Sequence, residues 1–168
     1  MHPPDSNVLV ALGSNLGDSI ATIHAAFARL ERFSQGKFRR SSLWQTSPVD
    51  SPPGSPLFIN AAAAFVPLPG ETPESLLPKL QALEKEFGRK QKLVMNEPRP
   101  LDLDLIAFAN EVRNTPALIL PHPRARLRRF VLQPLSEVAP QWVLPGETQT
   151  IEQLLGALGS AEQITRIA

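Results

Sequence analysis

Asn96-Glu97-Pro98-Arg99-Pro100-Leu101-Asp102-Leu103-Asp104-Leu105-Ile106 is the stretch that decides how this chain reads: a charged, proline-stiffened loop running into a segment that alternates apolar and acidic residues. Alternation at period two is the pattern of a half-buried strand. A strand here turns Leu101, Leu103 and Leu105 toward a core and projects Asp102 and Asp104 from the opposite face, about 6–7 Å apart at Cα. Two like charges side by side repel, and aspartate is a poor strand former, so the pattern opposes local stability unless a cation sits between them. Mg²⁺ answers that need, because it takes one or two protein carboxylates, keeps several waters and completes its octahedron with substrate phosphate oxygens. Arg99, three residues before Asp102, adds a planar fork that holds a phosphate bidentately. The plainer alternative is the solvated face of an edge strand. The flanking Pro-Arg-Pro and the apolar run Leu105-Ile106-Ala107-Phe108 argue instead for a central strand with one functional face.

The whole chain sets the bounds on this reading. Its 168 residues are one domain's worth of chain, so residues 1–168 read as a single domain, long enough to bury about 70% of the unfolded surface. A 42% hydrophobic fraction, 20% charged residues and a net charge of +1 are those of an ordinary globular protein with no call for a nucleic-acid partner. There is no cysteine, which excludes disulfides, thiolate metal sites and cysteine nucleophiles and fits a reducing compartment. No stretch approaches 18 apolar residues, and the first residues lack a basic region followed by an apolar run. The expectation is a soluble, cytoplasmic monomer without membrane contact. Eighteen prolines cluster at 48–56, 67–78, 98–100 and 116–145 and mark stiff loops.

Outward from the acidic strand, the elements fall in an order that names a fold class. Val8-Leu9-Val10-Ala11-Leu12 is a short buried strand ended by Gly13-Ser14-Asn15. Asp18 then caps a helix carrying Ile20, Ile23, Phe27 and Leu30 at helical spacing, with Gly36 near its stop. Gly-Ser-Asn-Leu-Gly lacks the lysine and spacing of a P-loop and reads as a structural turn. Arg39 to Thr46 is a weaker strand and Leu57 to Val66 a stronger one. The proline-rich loop 47–56 between them is either a lid or a connection tolerant of insertion. Thr72-Pro73-Glu74 opens a second helix with Leu76, Leu80, Leu83 and Phe87 in one stripe ending at Gly88. Pro78 inside it implies a kinked first turn or a later start. After the acidic strand the chain turns at Asn110-Glu111, with a short return strand near Val112. Strand, helix, strand, strand, helix, strand is the split βαβ order of an α+β, ferredoxin-like antiparallel sheet with helices on one face. The remaining third is a C-terminal extension with a short helix through Leu135 to Val138 and a capping box, Thr150 with Gln153, before Leu154-Leu155.

Two strand carboxylates, His122 held between Pro121 and Pro123, and the arginines 124, 126, 128 and 129 beside Phe130 form the polar inventory of the C-terminal half. Phosphoryl transfer needs this inventory, since it proceeds by positioning and by neutralising charge on phosphate oxygens. Clamping of phosphates is the economical explanation for four arginines in six residues. The competing classes are a non-enzymatic ferredoxin-like regulatory module that binds a small molecule, and an RNA binder. An RNA-recognition sheet needs exposed aromatics in its two motifs, and this chain has no tyrosine and neither motif. A regulatory module has no use for paired strand aspartates, whereas phosphoryl transfer to a different acceptor stays open on these residues alone.

Pro98-Arg99-Pro100-Leu101-Asp102-Leu103-Asp104-Leu105-Ile106 resembles the signature of the 6-hydroxymethyl-7,8-dihydropterin pyrophosphokinase family, which moves pyrophosphate from ATP to a pterin alcohol in folate biosynthesis. Ala11-Leu12-Gly13-Ser14-Asn15-Leu16-Gly17, Phe58-Ile59-Asn60-Ala61-Ala62, Pro121-His122 and Arg128-Arg129-Phe130 follow in the family's order. The resemblance implies a ferredoxin-like core, ATP as co-substrate, two Mg²⁺ ions held by Asp102 and Asp104, and release of AMP after the pterin hydroxyl attacks the β-phosphorus. It implies that Arg99, His122 and Arg128 contact the triphosphate, with Arg89 as a further contact. It places Gln81 and Glu84 near the nucleotide and Leu105 and Leu118 at its adenine. It also implies that Phe58 and Phe130 sandwich the pterin ring, that Asn60 hydrogen-bonds its edge, and that Thr46 and Val49 border the pocket. Stacking between two aromatic faces suits a flat heterocycle, and an amide both donates and accepts. The chain departs from the family's usual residues at Gln91, Met95, Asn96, Glu97 and Ala117, so its loop is expected to grip ATP differently.

Overall fold

The computed structural model describes residues 8–46, 57–88, 100–159 and 164–168. Within them the chain is a mixed α/β protein with an antiparallel sheet and four α-helices. The elements run β1 (Val8–Ser14), α1 (Ser19–Leu30), β2 (Ser34–Arg40), β3 (Trp44–Thr46), β4 (Phe58–Pro67), α2 (Pro73–Glu86) and β5 (Asp102–Phe108). They continue through β6 (Arg113–Asn114), β7 (Ile119–Leu120), α3 (Arg129–Val138), α4 (Ile151–Ala157) and β8 (Ile164–Arg166). The main sheet has the order β5-β1-β4-β3-β8, with β2 also paired to β4, and β6 and β7 make a separate hairpin. No helix among the described residues is long and apolar enough to cross a membrane.

The two sheet faces bury different things. On one, Val8, Val10, Leu12, Ala61, Ala63, Phe65, Leu103 and Leu105 meet Ile23, Phe27 and Leu30 of α1 and Leu76, Leu80 and Leu83 of α2. Phe38 of β2 closes this layer by stacking on Phe65 with centroids 5.6 Å apart. Truncating Phe65 to alanine removes a fully buried ring from it, a loss of about 3–5 kcal/mol. On the other face Leu9, Ala11, Ala62, Ala64, Ile106 and Ala107 meet Val131, Leu132 and Leu135 of α3, with Trp142, Leu144 and Ile151 behind them. The C-terminal extension therefore supplies a second helical layer, and helices cover both faces of the sheet. The alanines of β4 leave room for α3 to lie close.

Local signals explain the boundaries. Asp18 caps α1 by accepting the Ala21 N–H, and Thr72 and Ser75 form a reciprocal capping box at α2. Pro78 stands on the exposed side of α2, which starts at Pro73. Gly88 follows α2 with φ +97°, as its role past the helix end requires. Thr150 and Gln153 cap α4 in the same reciprocal way.

Four expectations are corrected, the first being that helices lie on one face of the sheet: α1 and α2 cover one face and α3 the other. Gly36 does not end a helix: α1 stops at Leu30 and Gly36 lies within β2. The segment 39–46 is two strands, β2 ending at Arg40 and β3 starting at Trp44: the Ser41 N–H still donates to the Ala62 carbonyl at 2.9 Å, but the Ala62 N–H is taken by Ser41 Oγ at 2.8 Å in place of a backbone carbonyl. The return strand expected near Val112 is present as β6 at Arg113–Asn114 and pairs with β7. The acidic strand β5 is the terminal strand of the sheet rather than a central one, and its apolar run reflects the helical layers covering both of its faces.

Candidate active site

Residues directly opposite one another in a ladder send their side chains to the same face. Gly13 pairs with Asn60 on one side and Asp102 on the other, and Asn60 pairs in turn with Trp44. Trp44, Asn60, Gly13 and Asp102 thus form one row across four strands. The adjacent row is Ala62, Ala11 and Asp104, and beyond Asn60 in the other direction Phe58 pairs with Thr46. Ala11 and Ala62 belong to the layer packed by α3, so all of these residues face that helix's side of the sheet. The period-two reading of β5 therefore puts both aspartates on the same face as Phe58 and Asn60.

At the β4 end of these rows, Asn60 is 5% exposed and its Nδ2 donates to Thr46 Oγ1 at 2.8 Å. That bond fixes the amide. Phe58 is half-buried beside it, and Phe130 is half-buried at the start of α3 with the Arg128 guanidinium 5.4 Å from its ring centroid. A guanidinium over an aromatic face is attracted to it and is held there without losing its charge.

At the β5 end lies a cleft of about 390 Å³ that gathers Gln81, Glu84, Asp102, Asp104, Leu105, Leu118 and His122, all expected there. Its wall owes its shape to β5 being terminal. The outward Leu103 N–H is taken by Glu84 Oε2 at 2.8 Å, and the Ile106 carbonyl accepts the His122 N–H at 2.9 Å. The β6–β7 hairpin supplies the opposite side. It is tied to the first turn of α2 by Arg113, whose Nε donates to Glu74 Oε2 at 2.6 Å; this pairing holds the Glu74 carboxyl below its ordinary range. Sequence reading passed over Leu77, Pro116 and Ile119, which also line the cleft. Leu77 carried a usable signal: it is an apolar residue one position off the core stripe of Leu76, Leu80 and Leu83.

His122 Nδ1 accepts the Arg124 N–H at 3.3 Å, so in the neutral ring the proton is on Nε2. Burial pushes its pKa below the ordinary 6.5, Arg128 and Arg124 push the same way, and Asp102 opposes them. A neutral imidazole with its Nε2–H available is a hydrogen-bond donor for an anion that adds no fixed charge.

The four arginines do not act together, which corrects their reading as one phosphate clamp. Arg126 pairs with Glu147 at 3.6 Å, and Arg129 donates to the Leu158 carbonyl at 3.1 Å, bracing the end of α4. Arg128 remains beside Phe130 and His122. Val49, Arg89 and Arg99, with Gln91, Met95, Asn96, Glu97 and the loop 47–56, lie outside the described residues.

Among the described residues no three His, Asp or Glu side chains gather as a metal cage. Two half-buried carboxylates lining an open cleft are a poor match for a closed tetrahedral site and fit a hard cation that brings its own waters and phosphate ligands.

Residues 9–140 match the family 7,8-dihydro-6-hydroxymethylpterin-pyrophosphokinase (HPPK). The chain is 38% identical over 148 residues to a 2-amino-4-hydroxy-6-hydroxymethyldihydropteridine pyrophosphokinase of Synechocystis sp., covering 88% of this chain and 73% of that one. It is 37% identical over 150 residues to the Pseudomonas aeruginosa protein of the same name, covering 89% and 90%. Among solved structures, a wild-type Plasmodium falciparum HPPK-DHPS with pteroate superposes with a TM-score of 0.67 over 89% of this chain at 14% identity, a likeness of fold alone. The chain spans 41% of that longer protein.

Proposed function

The chain belongs to the 7,8-dihydro-6-hydroxymethylpterin-pyrophosphokinase family, and from that premise we propose that it transfers pyrophosphate from ATP to the hydroxymethyl group of 6-hydroxymethyl-7,8-dihydropterin, releasing AMP, in folate biosynthesis. The observation that carries this reading is the shared face: the cross-strand rows align Phe58 and Asn60 with Asp102 and Asp104, and only Gly13 and Ala11 lie between. One end suits a flat heterocycle and the other a charged phosphate chain. The whole of residues 1–168 acts as one catalytic domain. Its core is ferredoxin-like, a reading supported by the antiparallel order β5-β1-β4 followed by β2 and β3 on the same side of β4.

Phe58 and Phe130 take the two faces of the pterin, and Asn60, steadied by Thr46, reads its edge. ATP occupies the cleft, with adenine against Leu105 and Leu118, Gln81 and Glu84 on the α2 side, and its phosphates toward Asp102, Asp104 and His122. Arg128, Arg99 and Arg89 neutralise phosphate charge. Asp102 and Asp104 would hold two Mg²⁺ ions, which when bound spread the negative charge of the triphosphate and orient it. The protein's own share is placement: the primary hydroxyl is held in line with the β-phosphorus, its oxygen bonds there as its proton passes to solvent water, the bond from the β-phosphorus to the bridging α-phosphate oxygen breaks, and AMP leaves. His122 donates its Nε2 proton as a hydrogen bond to a phosphate oxygen and keeps it through the step.

The test is incubation with ATP, Mg²⁺ and the reduced hydroxymethylpterin, with the nucleotide product identified by chromatography. AMP formed in equal amount with the pterin diphosphate is the expected result. ADP would indicate transfer of a single phosphoryl group and overturn the proposal.

A further inference from the structure

Gly13 stands where no side chain can be spared the site. It lies between Asn60 and Asp102 in the row across the sheet, and neighbouring strands are about 4.8 Å apart, so those two residues stand roughly 10 Å apart over it. A Cβ built on Gly13 would meet Asn60 Oδ1 at 3.4 Å and the Phe58 ring at 3.5 and 3.6 Å. Those are ordinary contact distances, and the Gly13 backbone is not in the left-handed region that excludes larger residues. The fold therefore has no need of glycine here, in contrast to Gly88 at φ +97°. Glycine inside a strand weakens it and often marks a place where a ligand comes close to the backbone. Here it sits next to Asn60 and Phe58, the residues that would read and stack the heterocycle.

We infer that Gly13 is a specificity-determining residue: its bare backbone is the floor over which the one-carbon arm of the acceptor passes from the ring site on β4 to the phosphates held at β5. This rests on the proposed function and adds a residue to it. A methyl group at position 13 would fill the corner between the Asn60 amide and the Phe58 ring edge. The ring would be lifted off Asn60 while the nucleotide cleft, which Gly13 does not line, stays as it is. Ala11, the counterpart in the adjacent row, already carries a methyl and is 9% exposed.

The experiment is calorimetric titration of Gly13→Ala and of the parent protein with 6-hydroxymethylpterin in the presence of Mg²⁺ and α,β-methylene-ATP, with the analogue titrated separately and thermal midpoints recorded. Expected is a rise of about tenfold or more in the pterin Kd, the scale of one misplaced carbon in a fitted pocket, with analogue affinity and thermal midpoint unchanged. A pterin Kd equal to the parent's overturns the inference. So does a parallel loss of pterin binding, analogue binding and thermal midpoint, which would mark Gly13 as structural. If the parent protein itself holds no pterin, the functional reading falls and this inference with it, whereas parental binding that Gly13→Ala leaves intact removes the inference alone.

Discussion

Glu84 of α2 accepts the backbone N–H of Leu103 at 2.8 Å, and Leu103 is the residue between Asp102 and Asp104. A helix carboxylate thereby clamps the outer edge of the strand that carries both candidate metal-binding aspartates. Because β5 is terminal, its N–H groups have no neighbouring strand on that side, and Glu84 does what a ladder would do.

Removing that clamp should loosen the carboxylate pair without touching it. Glu84→Ala is expected to lower stability by about 1–2 kcal/mol through the unsatisfied N–H, and to raise the Mg²⁺ concentration needed for turnover by about tenfold, as outer-shell changes at metal sites weaken metal affinity. Glu84→Gln keeps an acceptor oxygen and should recover most of both. Chemical denaturation and Mg²⁺ dependence of the rate separate the two effects.

The Asn60–Thr46 bond makes a similar prediction at the other end of the site. Thr46 is 3% exposed, and valine replaces it with nearly the same shape but no oxygen. Thr46→Val should cost about 1–2 kcal/mol in folding, since Asn60 Nδ2 is left without this acceptor in a buried position. Pterin affinity should fall while ATP affinity holds. Equal losses for both ligands would mean that the amide is not being aimed at the heterocycle.

His122 gives a pH signature. Its folded-state pKa lies below the ordinary 6.5 because of burial, with Arg128 and Arg124 adding to the effect against Asp102. The unfolded chain then binds the proton more readily than the folded one, so its contribution to stability is full above pH 6.5 and is lost as the pH falls through the folded pKa. Urea denaturation across pH 5 to 8 is expected to show stability falling below about pH 6.5, and His122→Asn should flatten that slope. An NMR titration placing the His122 pKa above 6.5 would contradict the electrostatic picture.

Much of the fold was legible because its signals are local. The cap residues Asp18, Thr72 and Thr150 act within one turn, and the alternation of β5 assigns its faces with no knowledge of neighbours. What escaped depends on distant partners. β2 carries Ser34-Gln35-Gly36-Lys37, which has no strand pattern, and it pairs with β4 because Phe38 finds Phe65 and Arg40 lies over Phe27. β8 is three residues long and exists because β3 offers it an edge, with Ile167 donating to the Leu43 carbonyl at 2.9 Å. At the candidate site, Asp102, Asp104 and His122 stood out by their chemistry, and Asn60 by the family resemblance. The arginine cluster misled, since one spacing served two structural tasks, Arg126 to Glu147 and Arg129 to Leu158, and left Arg128 at the site. Gly13 was read as the end of a strand, because a residue that matters by having no side chain leaves no polar mark in the sequence.

The most direct test of the carboxylate pair is a crystal structure grown with α,β-methylene-ATP, the hydroxymethylpterin and Mn²⁺ in place of Mg²⁺, with the metals located by anomalous scattering. The expected map has Mn²⁺ peaks about 2.2 Å from carboxylate oxygens of Asp102 and Asp104, between the nucleotide phosphates and the pterin hydroxymethyl group. Peaks coordinated by other residues, with both aspartates bare, would contradict it.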